Sequence, residues 1–427
     1  MRIREFVSRL EAADDLVAVE HEVAREAIPF MIKAEEAGRN RAMLFRTVRD
    51  HALPVVANLY GTYERYARGA GADTAGLWAR IERAVANPVP ALAAADAPCF
   101  EVVHEDPDLT RLLPVIKYHP LDAGPYITSG IVFMKDPLSG RRNVSFIRFM
   151  LKGPRKLGFN PKSVHNKAYY QKIALAGRRL EVAFCLGAPT EMVVAAAQWI
   201  PDPYDEVEVA TALADPAHRG ELAMAKCRTV DLEVPAGSEI VVEGVVSTDL
   251  EPEGPFGDWT GAYARPQMKP TLTVTCVSHR RDPVYQTILP ADSKEQIILT
   301  IVRFYPEIEA LRRRYPEILR VAVPEYALGR LAVLAMRASG RIPEIMRGFL
   351  AIQCINRVIV VNEDVDVESA EDVLWAVSNR ILVPDKVLAD SCVDEWWNHL
   401  KLGIDTTVDI TDIRHKRPKL FPPNFTP

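Results

Sequence analysis

Residues 239–279 read EIVVEGVVSTDLEPEGPFGDWTGAYARPQMKPTLTVTCVSH, two β-branched runs joined by an acidic, turn-rich connection. EIVVEGVV and TLTVTCVSH carry the composition of strands. Between them Gly254, Pro255 and Gly257 force a tight, irregular backbone, flanked by Glu253 and Asp258. Two carboxylates held close on a rigid loop do not both ionise cheaply. One can then serve as a general acid while its neighbour stays anionic. The same residues would also suit a solvated surface turn.

Working outward, residues 99–292 keep this β character. Strands are expected in CFEVVH, GIVFMKD, NVSFIRFML, LEVAFCLG, RTVDLEV and PVYQTIL, with a short helix near Lys167–Ala176. Many strands joined by Pro/Gly turns indicate a barrel or a sandwich. Upstream, residues 1–98 form an N-terminal α/β part. Ile3, Phe6, Val7 and Leu10 repeat at helical spacing, LVAVEHEV reads as a strand, and helices follow around Ile28–Ala37 and Tyr63–Ala86. Asn87–Pro98 is an Ala/Pro-rich linker. GAGADTAG at 69–76 lacks the third glycine and the preceding strand of a dinucleotide loop. Downstream, 293–315 reads as a linker helix and 316–427 as an α/β domain. There Ser369 caps a helix through Val373–Asn379.

The chain has 427 residues, 48% hydrophobic and 26% charged, with a formal net charge of −5. That supports several buried cores and gives no basic field for nucleic acid. No apolar run is long enough to span a bilayer, and MRIREFVSRLEAADD lacks the apolar core of a secretory signal. A cytoplasmic protein with reduced thiols is expected: the six cysteines include no CxxC pair.

Three further places carry possible chemistry. In Asn143-Val-Ser-Phe-Ile-Arg148, strand alternation places Asn143, Ser145 and Ile147 on one face and Arg148 on the other. An arginine there needs an acidic partner or an exposed edge. His165 in SVHNK and Glu206 in WIPDPYDE are ordinary surface types alone. Together with an Asn oxygen they would suit Mn²⁺ or Mg²⁺. The acidic run Asn362–Asp366 reads as a strand end favouring the next helix N-terminus. The basic tail RHKRPK at 414–419 reads as a solvated or subunit-contacting end. HExxH, GxxxxGK[ST] and GxSxG are all absent.

Taken in order, NVSFIR, SVHNK, WIPDPYDE, VDLEVPAGSEIVVEG, EGPFGDWTGAY and KLGIDTT resemble the UbiD family of prenylated-FMN-dependent decarboxylases, from roughly residue 100 to 410. The resemblance implies an α+β protein with a central split β-barrel like that of flavin reductases, flanked by the N-terminal α/β part and a C-terminal α/β domain that oligomerises. It implies catalytic roles for Arg148, Glu253 and Asp258. Asn143, His165 and Glu206 match residues that hold Mn²⁺ (or Mg²⁺) against the cofactor phosphate, often beside K⁺. Ser145 matches a cofactor-contacting position and Lys401 a lysine near the phosphate. Asp258 stands where some members have Glu.

The expected reaction is reversible, non-oxidative decarboxylation of an aromatic, heteroaromatic or α,β-unsaturated acid. No side chain stabilises the resulting carbanion well, so the flavin must. A flavin prenyltransferase would supply the cofactor. A homodimer or larger assembly is expected, with apolar VLWAV and Trp396-Trp397 near the chain end. The alternatives are an FMN-binding oxidoreductase on the same barrel, or a prenylated-flavin carrier without catalysis; neither needs the Arg148, Glu253 and Asp258 set.

Overall fold

The computed structural model describes residues 1–161, 164–176, 179–200, 204–337, 339–381, 383–393 and 400–417; for 164, 173–176, 218 and 390–393 it describes the backbone only. Trp396 and Trp397 lie outside the described residues, as do Pro201–Pro203 of WIPDPYDE and the last two residues of RHKRPK. The chain divides into two compact units, Met1–Val302 and Arg303–Pro427.

In the first unit Ile3, Phe6, Val7 and Leu10 are the buried face of helix Ile3–Ala12, as their spacing predicts. Strands Leu16–Val19, Ala42–Phe45 and Val55–Ala57 follow. Their sheet is completed by Tyr285–Thr287, which runs parallel to Val55–Ala57. The β-rich segment thus returns its last strand to the N-terminal part, and both fall within one compact unit.

The main sheet has nine strands. Its spine is the long hairpin Ile240–Glu253 and Gln267–His279, with register shifts at Glu243/Gly244 and Val246/Leu250. Such bulges bend a strand and sharpen its twist. At Gly244 a Cβ would lie 2.5 Å from the Thr273 carbonyl oxygen, so only glycine permits the approach. On one side the spine continues through Lys156–Phe159 and Phe149–Gly153 to Tyr126–Ile127; on the other, through Leu180–Leu186 and Ile131–Lys135 to Arg142–Phe146. Val102–His104 pairs with the end of Gln267–His279. The end strands do not pair with each other among the described residues, so the expected barrel is an open sheet here.

Both faces of this sheet are buried. Ala183 and Cys185 point into one apolar cluster with Phe6, Tyr66 and Val193, while Val182, Phe184 and Leu186 point into another with Phe149, Phe159 and Leu272. A strand buried on both sides is apolar throughout, which is why LEVAFCL shows little alternation. All five cysteines whose side chains are described are free.

The expected linker helix at 293–315 is two helices, Lys294–Ile301 and Tyr305–Arg314, and the unit boundary falls between them. Ser293 caps the first by accepting from Gln296 N at 3.1 Å. Ile298, Leu299 and Val302 then bury in the first unit's core. Pro306 opens the second helix.

In the second unit Leu331–Met336, Arg357–Val361 and Leu400–Asp405 run parallel, with antiparallel edges Ile318–Ala322 and Val387–Val393. Helices Ile342–Ala351 and Ala370–Asn379 complete an α/β domain. Ser369 caps the latter, accepting from Asp372 N at 3.2 Å. No helix among the described residues is long and apolar enough to cross a membrane.

Candidate active site

Strand Arg142–Phe146 ends the main sheet, so among the described residues one edge lacks a strand neighbour. That leaves backbone donors available to side chains. Val144 N donates to Glu206 Oε2 at 2.9 Å. Glu206 opens helix Glu206–Leu213, whose cap Asp205 accepts from Val207 N and Glu208 N in a capping box. Arg142 binds Asp205 at 2.8 Å and ties the strand to this helix start. Burial pushes the Glu206 carboxyl up to about 7, the mark of an acid short of positive charge.

Asn143 and Ser145 share a face, as alternation predicts. Asn166 joins them, accepting from Asn143 Nδ2 at 2.7 Å and donating to Ser145 Oγ at 2.8 Å. This orients Asn143 Oδ1 toward His165 Nδ1, 2.9 Å away. His165 lies in the first turn of helix Val164–Ala176. Two donors bound at right angles, each about 2.1 Å from one octahedral ion, lie roughly 3 Å apart, so this pair has the spacing of adjacent ligands. Among the described residues no three His, Cys, Asp or Glu side chains form a metal-binding group. An ion at this pair would draw on the asparagine oxygen and His165, a hard and a borderline donor.

The alternation extended to Arg148 stops at Phe146; Ile147 and Arg148 form the connection to Phe149–Gly153. Freed from the pleat, Arg148 turns to the loop after the long strand. Its Nε and Nη2 donate to Glu253 Oε1 at 3.0 Å and Oε2 at 3.2 Å, and its Nη1 to Asp258 Oδ2 at 3.4 Å. The guanidinium carbon lies 4.3 Å from the centre of the Phe256 ring. Both acids are buried, with side chains 3% and 4% exposed. Burial works against the arginine's charge, but Glu253 and then Asp258 more than compensate, and Arg148 sits above its ordinary range. The solvated-turn reading of these acids does not hold.

Sequence reasoning missed the groups that hold this loop. Asp122 is buried and accepts from Gly257 N at 2.8 Å and His119 N at 2.9 Å. Ala123 N donates to Pro255 O at 2.8 Å. A Cβ on Gly257 would lie 2.7 Å from His119 Nδ1. Gly254 has φ +88°, a conformation natural to glycine. Asn160 Nδ2 donates to Glu253 Oε2 at 3.3 Å. Tyr126 packs 4.3 Å from Phe256, ring centre to ring centre, and burial raises its hydroxyl. Asp122 lies between Pro120 and Gly124-Pro125 in a turn-forming stretch, a weak signal; nothing local marks Asn160.

Lys401 is buried in the second unit. Its ammonium donates to Leu350 O and Ile352 O at the end of helix Ile342–Ala351, acting as a helix C-terminal cap.

Three family models match in succession: the N-terminal domain of 3-octaprenyl-4-hydroxybenzoate carboxy-lyase at residues 7–85, its Rift-related domain at 91–293 and its C-terminal domain at 300–388. An uncharacterized protein of Archaeoglobus fulgidus is 30% identical, over 97% of this chain and 93% of that one. The anhydromevalonate phosphate decarboxylase of Methanothermobacter thermautotrophicus is 27% identical over 90% of each. Among solved structures, the UbiD-class enzyme HmfF from Pelotomaculum thermopropionicum in complex with prFMN superposes with a TM-score of 0.87 at 31% identity, covering 98% of this chain and 97% of that one. The vanillic acid decarboxylase of Sedimentibacter hydroxybenzoicus in open form gives 0.80 at 25%, covering 99% and 96%. These matches, on a chain whose arginine bridges two buried acids, place the protein in the UbiD family of carboxy-lyases.

Proposed function

We propose that this carboxy-lyase uses prenylated FMN to decarboxylate an aromatic, heteroaromatic or α,β-unsaturated acid, reversibly. The observation that carries the proposal is Arg148 held between Glu253 and Asp258 in a buried site. An FMN reductase or a flavin carrier has no use for that set, and burying two acids around one base is costly without one. The main sheet would be the counterpart of a flavin-reductase split barrel. Binding of prFMN by HmfF supports the cofactor assignment.

When bound, prenylated FMN would supply the electron sink for the carbon that loses CO₂. Asn143, His165 and Glu206 would hold Mn²⁺ or Mg²⁺, with K⁺ beside it, against the cofactor phosphate, and Ser145 would contact the cofactor. Lys401, the phosphate-side match, already donates to two backbone carbonyls.

The chain's own residues divide the remaining work. Arg148 Nη1 makes the longest contact of the cluster, and it is the donor best placed to turn to a substrate carboxylate. Glu253 accepts twice from Arg148 and once from Asn160, which fixes it as the anion that positions the guanidinium. We assign proton return to Asp258, whose contact with Arg148 is looser. Asp122, through Gly257, sets the loop that aims it. Burial of both acids keeps bulk water from the reacting carbon.

A flavin prenyltransferase would provide the cofactor. A homodimer or larger assembly is proposed; HmfF has an evolved dimeric form. The test is co-expression with such a prenyltransferase, intact mass and absorbance of the bound flavin, then CO₂ release from cinnamate, furoate, pyrrole-2-carboxylate and hydroxybenzoates. Bound prenylated flavin with CO₂ release from one class establishes the proposal. Plain FMN with reductase activity, or bound prenylated flavin with no turnover of any acid, overturns it.

A further inference from the structure

A second pair of nitrogen ligands lies outside this site. His104 ends strand Val102–His104 and His279 ends strand Gln267–His279; the strands are antiparallel, with His104 opposite Val277 and Val102 opposite His279. The two imidazoles are therefore diagonal neighbours on one face. Their Nε2 atoms are 3.0 Å apart, and the rings are inclined by 27° with centres 5.1 Å apart. His279 Nδ1 lies 2.5 Å from Arg280 O. A carbonyl oxygen only accepts, so the proton of the neutral ring is on Nδ1 and the Nε2 lone pair faces His104. An Nδ1–H donated to a carbonyl is the arrangement that orients and strengthens a metal-bound histidine. Both side chains are half-buried, open enough for an ion and its waters.

We infer that His104 and His279 form a binding site for a borderline divalent ion of the zinc, nickel and copper group. Each ring would bind through Nε2, and the ion would staple the short strand after the Asn87–Pro98 linker to the main sheet. Imidazole nitrogens suit these metals, whereas Mn²⁺ and Mg²⁺ prefer oxygen. Ligands about 2.1 Å from one ion lie about 3 Å apart at the right angles of square-planar or tetragonal Ni²⁺ or Cu²⁺, the spacing seen here, and about 3.4 Å apart at the tetrahedral angle of Zn²⁺. No third His, Cys, Asp or Glu joins them among the described residues, so water completes the shell and the ion exchanges readily. In the ion-free protein His104 Nε2–H donates to His279 Nε2; on binding, His104 changes to its Nδ1–H tautomer, solvent taking the Nε2 proton and returning one to Nδ1, with no net release.

The experiment titrates the full-length flavin-loaded protein, kept in excess Mn²⁺, with Ni²⁺ or Zn²⁺ alone, and follows bound metal by calorimetry. One equivalent should bind to the unaltered protein and to His165→Ala, and be lost in His104→Gln and in His279→Gln. Decarboxylation should be unchanged in the last two. Because a strand-end substitution can disturb folding, the unaltered protein with labelled histidines provides a second reading. Ni²⁺ should broaden the ring signals of His104 and His279 together, before those of the other histidines. Uptake that survives both substitutions, uptake lost only in His165→Ala, or broadening that spares this pair would each overturn the assignment.

Discussion

Two arginines in this molecule, each stacked on an aromatic ring, are built alike and used differently. Arg380, in the C-terminal unit, donates to both oxygens of Asp364 at 3.0 and 2.6 Å and lies 4.6 Å from the centre of the Trp375 ring. Arg148 likewise forks onto Glu253 and stacks on Phe256. The remaining donors differ. Arg380 gives them to the carbonyl of His415 and has no exposed side-chain surface, while Arg148 turns to a second buried acid. One acid and backbone carbonyls satisfy a guanidinium and fix a fold. A second carboxylate leaves the cluster with one negative charge too many, an arrangement that serves proton transfer better than stability.

That contrast can be broken severely at Glu253. Glu253→Gln should keep the fold and the cofactor yet lower CO₂ release by about a hundredfold or more, the scale of a misplaced substrate-positioning group, because Arg148 loses the anion that orients it. Steady-state rates on enzyme whose flavin is verified by mass check this. At the structural arginine the effect should move to stability. Arg380→Ala should cost about 3 kcal/mol, the lower part of the range for breaking a buried pair, because Asp364 is one-third exposed and rehydrates. Denaturant unfolding monitored in the C-terminal unit reads it, with turnover per folded molecule unchanged.

A buried acid without an arginine fork sharpens the point. Glu295 accepts from Tyr60 N at 3.0 Å, and burial raises its carboxyl to about 7 although Arg65 pulls the other way. The folded state therefore holds a proton that the unfolded chain has released above pH 4.5. The stability this group contributes is full below the ordinary carboxyl range and is lost as pH rises through 7. Between pH 5 and 8 the protein should lose roughly 2 kcal/mol more than Glu295→Gln, in paired unfolding curves. The smallest effect belongs to Ser369, a neutral cap. Ser369→Ala should cost about 1 kcal/mol, seen as a lower unfolding midpoint with no change in catalysis.

Much of the site was legible because local chemistry constrained it. Gly254, Pro255 and Gly257 fix the backbone between Glu253 and Asp258 whatever surrounds them, and strand alternation put Asn143 and Ser145 on one face. The helix through Ile3 and Leu10 followed from period alone. Other features depended on partners far along the chain. Asp122 meets Gly257 across 135 positions, and Asn160 meets Glu253 across 93. Arg148 escaped the alternation because the strand stops at Phe146, which no residue there announces. The return of Tyr285–Thr287 to the N-terminal sheet was equally invisible, since a three-residue strand carries no address. Asp364 read as the acid of a strand end, and only the fold shows that it meets Arg380.

The central claim is that Arg148 holds two acids in separate roles, with Asp258 carrying the proton. The direct measurement is deuterium uptake from D₂O into the reacting carbon of added product, on enzyme whose cofactor is confirmed by mass. Asp258→Asn should abolish this exchange along with CO₂ release. Exchange at the unaltered rate in Asp258→Asn would contradict the assignment.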